Sequence, residues 1–254
     1  MSKPTNRREE LRRQQEQAAA RSRMNRIVGI GAAVLAVILA AVIVVVIVQS
    51  TSSPSSGAVT PPNVSAKKDA IVVNPGKAPA GAPTVTLYLD YQCPNCKVFE
   101  KAYGAMLQQE ADAGTWTLQY KTMTFMDLNL KNTASNRAAM AAACADTVGV
   151  YPAYAQALYD HQAAQEVVGS EGYAQSLLRT DLPATLGVTG EKLTQFQQCV
   201  DANATQGFVN TVNKAAYSDG VSGTPSIAVN GKVLDLRKLT SSDPAALKQL
   251  ILAG

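Results

Sequence analysis

Twenty-two consecutive residues, Ile27 to Val48, carry no charge and no strongly polar side chain. At about 1.5 Å per helical residue, such a run crosses the roughly 30 Å of hydrocarbon in a bilayer. It divides the chain into parts that cannot share one core. Eight basic residues precede it (Lys3, Arg7, Arg8, Arg12, Arg13, Arg21, Arg23 and Arg26) against three Glu, and Gln49-Ser50-Thr51-Ser52-Ser53 follows. The positive-inside rule then puts residues 1–26 in the cytoplasm as a basic tail, 27–48 in the cell membrane as a single-pass helix, and everything later outside. A cleaved signal peptide is the competing reading, with Val48-Gln49-Ser50 as a loose cleavage site. Its apolar region usually runs about 7 to 15 residues, which favours an uncleaved anchor. The formal net charge of +4 resides in the tail, since the remainder carries 15 basic and 16 acidic residues. Nucleic-acid binding by the folded part loses its support.

Residues 49–69 are rich in Ser, Pro, Gly and Ala and read as a flexible linker, with the folded domain over 70–254. Ala70-Ile71-Val72-Val73 is a short β-prone run suited to an edge strand. Thr84 to Asp90 is apolar and β-branched enough for a buried strand. A helix is expected from Cys93 to Ala113, with Val98, Ala102, Ala105 and Met106 on its apolar face, Pro94 in its first turn and Gly114 at its end. Thr115 to Met123 alternates as a strand, which completes a right-handed βαβ unit. Helical segments follow near 133–148, 152–166, 170–179 and 190–218, separated by Gly149, Gly169, Pro183 and Gly187. Asn230-Gly231 between two short apolar runs predicts a type I′ hairpin. Asp243-Pro244 caps a last helix, Ala245 to Leu252. The order β-α-β, helical block, β-hairpin, α is that of an α/β thioredoxin fold with a helical domain inserted at about 130–218.

All four cysteines, Cys93, Cys96, Cys144 and Cys199, lie after the apolar run, and an even number there fits an oxidising compartment. Cys93-Pro94-Asn95-Cys96 places two thiols at the start of a helix that follows a strand. The positive helix end and its unpaired N–H groups stabilise a thiolate at Cys93, with Cys96 one turn away as the resolving thiol. Half a structural zinc site is the bland alternative. It needs a second cysteine pair, and Cys144, Cys199 and the single His161 do not supply one. No metal and no cofactor is expected. A purely structural Cys93–Cys96 bridge would close too short a loop to add much stability. Gly223-Thr224-Pro225 precedes the third core strand, where a proline removes a backbone donor; read alone, it is an ordinary turn proline.

Taken together, Leu87-Tyr88-Leu89-Asp90-Tyr91-Gln92-Cys93-Pro94-Asn95-Cys96, Asn136 to Cys144, Gly220 to Ser226 and Val229-Asn230-Gly231-Lys232 resemble the DsbA-like family of extracytoplasmic disulfide oxidoreductases, in its membrane-anchored branch. The resemblance covers about residues 70–254. It implies a catalytic pair at Cys93 and Cys96, a cis proline at Pro225 that with Thr224 forms a substrate-binding edge, and exported proteins with free thiols as substrates. It also implies reoxidation by a quinone-linked membrane partner of the DsbB or VKOR type. Asn95 departs from the histidine of the best-known members. Asn brings a hydrogen bond but no positive charge, so a Cys93 pKa below about 8.5, and nearer 7 than 3.5, is expected.

That departure keeps two directions of electron flow open: oxidation of substrate dithiols, and reduction or isomerisation of disulfides. A peptide-binding or chaperone module with an incidental Cys pair is a third reading. Cys144 and Cys199 most simply form a structural disulfide, and a second redox relay is the alternative. Asp90 is placed either to act on proton transfer at Cys96 or to cap the turn. Lys97 either favours the thiolate or points to solvent. Tyr88, Tyr91, Tyr120 and Phe125 belong to the core or the groove rim, and His161 is assigned no function.

Overall fold

The computed structural model describes residues 58–239 and 241–254. The expected basic tail, membrane helix and first part of the linker lie outside the described residues. Among the described residues, no helix is long and apolar enough to cross a membrane.

Five strands form one sheet: β1 (Ile71–Val73), β2 (Thr84–Leu89), β3 (Thr117–Thr122), β4 (Ser226–Val229) and β5 (Lys232–Val233), in the order β1-β3-β2-β4-β5. β2 runs parallel to β3 and antiparallel to β4, so it is the central strand, and β1 is an antiparallel edge. Val85, Leu87 and Leu89 are buried on one face, while Tyr88 on the other packs with Met123, Ala216 and Ala228. A strand covered on both faces carries few polar residues. The β4–β5 hairpin turns at Asn230 (φ 50°) and Gly231 (φ 83°), the two positive φ values that a type I′ turn requires.

The helix after β2 is one helical run in three pieces: α1 (Pro94–Phe99), a π-helical turn (Glu100–Gly104) and α2 (Ala105–Asp112). Its buried face differs from the expected one. Val98 is 67% exposed, and Cys96, Phe99, Tyr103 and Leu107 point inward instead. The aromatic pair Phe99 and Tyr103, with ring centroids 5.0 Å apart, buries more area than the small side chains of the expected stripe. The π turn then shifts the phase of everything after Glu100.

The insertion contains α3 (Met126–Leu130), α4 (Ala134–Thr147), α5 (Tyr151–Asp160), a π-helical turn (Leu177–Asp181) leading into α6 (Leu182–Thr185), α7 (Gly190–Asp201) and α8 (Gln206–Ser218). Three expectations change here. Helix α5 stops at Asp160, so residues 161–174 are largely irregular. Pro183 does not break its segment but sits within the first turn of α6, directly after a π turn that tolerates the lost N–H. The single helix expected over 190–218 divides at Asn203, whose φ of 49° is the left-handed conformation that ends helices. Asp243 caps α9 (Pro244–Leu252) as expected, accepting from the Ala245 N–H at 2.9 Å.

α4 is alanine-rich and buried along almost its whole length, which lets its neighbours approach closely. Cys144 on α4 and Cys199 on α7 are joined as a disulfide with Cα atoms 5.9 Å apart. The linker ends earlier than residue 69. Val59 N–H donates to Ala204 O at 2.8 Å, and Asn63 donates from N and Nδ2 to the two carboxylate oxygens of Asp146, each at 2.9 Å. Residues 59–64 are thereby strapped across the insertion before β1 begins. Val59 also packs against the core and Pro61 is buried, but the Pro- and Ser-rich surroundings conceal the strap in the sequence.

Candidate redox site

β2 delivers the chain to Asp90, and the turn Asp90 to Cys93 redirects it into α1. Cys93 N–H donates to Asp90 O at 3.0 Å, and the Cys93 carbonyl accepts the first helical bonds from Cys96 N at 3.1 Å and Lys97 N at 3.3 Å. Cys93 is therefore the N-cap, with an extended backbone and no side-chain cap, and Pro94 follows where its missing N–H is harmless. Both cysteines are free thiols. Cys93 is 5% exposed and Cys96 0%, whereas Pro94 and Asn95 face solvent. The Thr224-Pro225 bond is cis, and the Cys93 thiol donates to Thr224 O at 3.5 Å.

The two thiols differ sharply. A hydrogen bond from the Cys96 thiol, with support from Thr224 and the backbone N–H groups of Cys96 and Asn95, brings the Cys93 pKa down to about 6 against the opposing effect of burial. Burial and the adjacent Cys93 push Cys96 far upward. One sulfur is thus ready to attack or leave at neutral pH, while the other stays protonated. Lys97 takes no part in this: its ammonium donates to Gln162 O at 3.2 Å.

Asp90 is 0% exposed, and burial raises its pKa to about 7. Its oxygens accept from Gln92 N at 2.9 Å, Ser135 Oγ at 2.5 Å and Met126 N at 3.1 Å. The carboxyl group is spent on capping the turn and tying it to the insertion. Gln92 extends that tie, its Nε2 lying 2.9 Å from Asn132 Oδ1, 2.9 Å from Ser135 Oγ and 3.0 Å from Asp127 Oδ1. Tyr88, Tyr91 and Tyr120 are buried in the core and Phe125 is half-buried; His161 is exposed. Gln92, Ser135, Gln162 and Tyr173 were not singled out in the sequence. Only the position of Gln92, directly before Cys93, signalled a role. Among the described residues, no group of His, Cys, Asp and Glu is arranged to hold a metal.

One turn beyond Cys96, Glu100 is 4% exposed, and its Oε1 has no partner among the described residues. Burial raises its pKa to about 7. A carboxyl raised in the folded state stabilises fully below its unfolded value of about 4.3, and that contribution is lost as pH rises through 7. Glu100→Gln is therefore expected to flatten the stability profile and to gain at most about 3 kcal/mol at pH 8 relative to pH 4.5. Urea unfolding at the two pH values checks this, and the same pH difference in variant and parent would count against it.

A βαβ unit, an antiparallel hairpin and a dithiol at a helix start facing a cis proline define a thioredoxin-fold protein with a CxxC centre. The chain belongs to the thioredoxin family, whose pattern it matches over residues 76–251. No curated protein shows significant sequence similarity to it. Its structural neighbours include proteins described as thiol-disulfide oxidoreductases and as DsbA. MdbA from Actinomyces oris, a thiol-disulfide oxidoreductase, superposes with a TM-score of 0.60 at 20% identity, covering 79% of this chain and 94% of that one. BdbD from Bacillus subtilis gives 0.58 at 22%, covering 78% and 98%. Oxidised DsbA from Mycobacterium tuberculosis gives 0.57 at 24%, covering 73% and 92%. The fold is thus the mixed α/β thioredoxin type with a helical insertion.

Proposed function

We propose that this protein is an extracytoplasmic thiol-disulfide oxidoreductase that oxidises dithiols of exported proteins. The observation that carries the reading is the split between a Cys93 thiol held near pKa 6 and a buried Cys96 thiol that resists ionisation. In the oxidising direction a substrate thiolate attacks Cys93 Sγ, the Cys93–Cys96 bond breaks, and Cys96 leaves with the electron pair and takes up a proton. The second substrate thiolate then attacks its partner sulfur, and Cys93 leaves as a stable thiolate. Two electrons pass to the protein, which a quinone-linked membrane partner of the DsbB or VKOR type withdraws. The apolar run 27–48 holds the domain at the outer face of the cell membrane, with the N-terminus in the cytoplasm.

Reduction or isomerisation on the same site is the second reading, favoured by the uncharged Asn95. A thiol of pKa 6 in place of about 8.5 stabilises the reduced form about tenfold at pH 7, which is about 30 mV. That shift is smaller than the span between known reductants and oxidants, so the potential itself decides. An oxidase requires a Cys93–Cys96 couple well above thioredoxin's value of about −270 mV, and a pair found mostly disulfide-bonded in cells. A potential near −270 mV with a mostly reduced pair would reassign the protein as a reductase.

A further inference from the structure

Helix α5 ends at Asp160, and the irregular segment that follows returns to the redox turn. Gln162, 8% exposed, spans the gap: its Nε2 donates to Tyr91 O at 2.7 Å and to Cys93 O at 3.0 Å. These carbonyls flank Gln92 on the turn that places Cys93 at the N-cap. Neither is used in the sheet; the Cys93 carbonyl also accepts the first helical N–H groups, and the Gln162 amide adds one donor to both carbonyls across the gap. The same residue is held from the other side, where Lys97 Nζ donates to Gln162 O at 3.2 Å. Farther along, Tyr173 Oη lies 2.7 Å from Tyr91 O. Gly172 adopts φ +68°, and a Cβ there would lie 2.8 Å from Gln92 Oε1 and 2.5 Å from the Ala134 Cβ. The segment is thus pressed against the turn.

We propose that Gln162 is a positioning residue of the redox site, whose side-chain amide fixes the Tyr91-to-Cys93 turn and so holds the Cys93 sulfur at the helix start beside Thr224 O. The inference rests on the thiol-exchange reading for its purpose but not for its test. The positive helix end favours the thiolate only while the sulfur keeps its place at the N-cap, so a turn that rotates away loses that support. At the Cys93 carbonyl the amide is a third donor, beside the N–H groups of Cys96 and Lys97.

The test is the pH profile of Cys93 alkylation by iodoacetamide in the full-length reduced chain, read on the free dithiol with no substrate. Gln162→Asn keeps the polarity but ends one methylene short of both carbonyls. Its midpoint is expected to rise by about half a unit, a threefold loss of thiolate below the midpoint. Gln162→Glu keeps the length but replaces the donor with a carboxylate, and is expected to raise the midpoint by about one unit. Thermal unfolding of each variant separates this from loss of fold, which would not give a graded order of midpoints. Unchanged midpoints in folded variants would overturn the proposal. So would a fall, because a segment that merely shields Cys93 from water releases the thiolate when loosened. A parent chain that alkylates with a low midpoint yet exchanges no disulfides would instead sink the function and leave Gln162 in its role.

Discussion

Cys96→Ser is expected to accumulate a covalent mixed disulfide between Cys93 and a substrate protein, while Cys93→Ser accumulates none and loses at least about a thousandfold in exchange rate. The asymmetry follows from the site. Cys93, at 5% exposure the less buried of the two, lies beside Thr224 O with a pKa near 6, so on the proposed function it is the thiolate that meets the substrate. Cys96 is fully buried and held protonated, so its part is intramolecular: it resolves the mixed disulfide or departs from it. A serine hydroxyl at position 96 cannot attack the Cys93–substrate bond, and the intermediate persists. Non-reducing electrophoresis with a reduced control reads the outcome. Equal trapping by both variants would mean that Cys96 is accessible and the division of labour is wrong. Biological activity that survives Cys93→Ala would favour a peptide-binding module in which the thiols are incidental.

Much of this site is legible in the chain because its signals are local. Two cysteines with Pro94 after a seven-residue strand-forming run declare a strand-to-helix turn, Asn230-Gly231 declares its hairpin, and Asp243-Pro244 its helix start. What ties down the turn that carries those cysteines is not local. Gln162 acts across 69 and 71 residues of sequence on two carbonyls, and Ser135 reaches Asp90 across 45. A glutamine after a helix end has no composition signal that distinguishes a solvated side chain from a buried clamp. The π turn at Glu100 is concealed for another reason. Helical periodicity presumes one pitch, and a single wide turn rotates the pattern without altering the residues' propensities. Asn203 was readable, since Asn tolerates the left-handed conformation, yet the strong helix formers on both sides masked the break.

Removal of the Cys144–Cys199 disulfide is expected to cost the domain up to about 4 kcal/mol, the loop-entropy value for a closed segment of 55 residues, while leaving the exchange rate of the folded protein within about twofold. The cross-link joins α4 to α7 in the middle of the insertion. The nearest polar neighbour of its Cys144 sulfur is the Thr205 hydroxyl at 3.7 Å, itself donating to Met140 O at 2.9 Å. None of these groups touches the Asp90-to-Cys96 turn, which is tied to the insertion through Ser135 and Gln162 instead. Alanine suits position 144, because α4 is already built of small side chains, and at position 199 it removes only the sulfur. The Cys144→Ala/Cys199→Ala double variant, compared with its parent by urea unfolding and by dithiol oxidation, therefore separates two roles for the pair. A structural cross-link lowers the unfolding midpoint and spares the chemistry. A second redox relay would do the reverse, with turnover lost at nearly unchanged stability, because electrons leaving Cys93 and Cys96 would then have no onward thiol pair to reach.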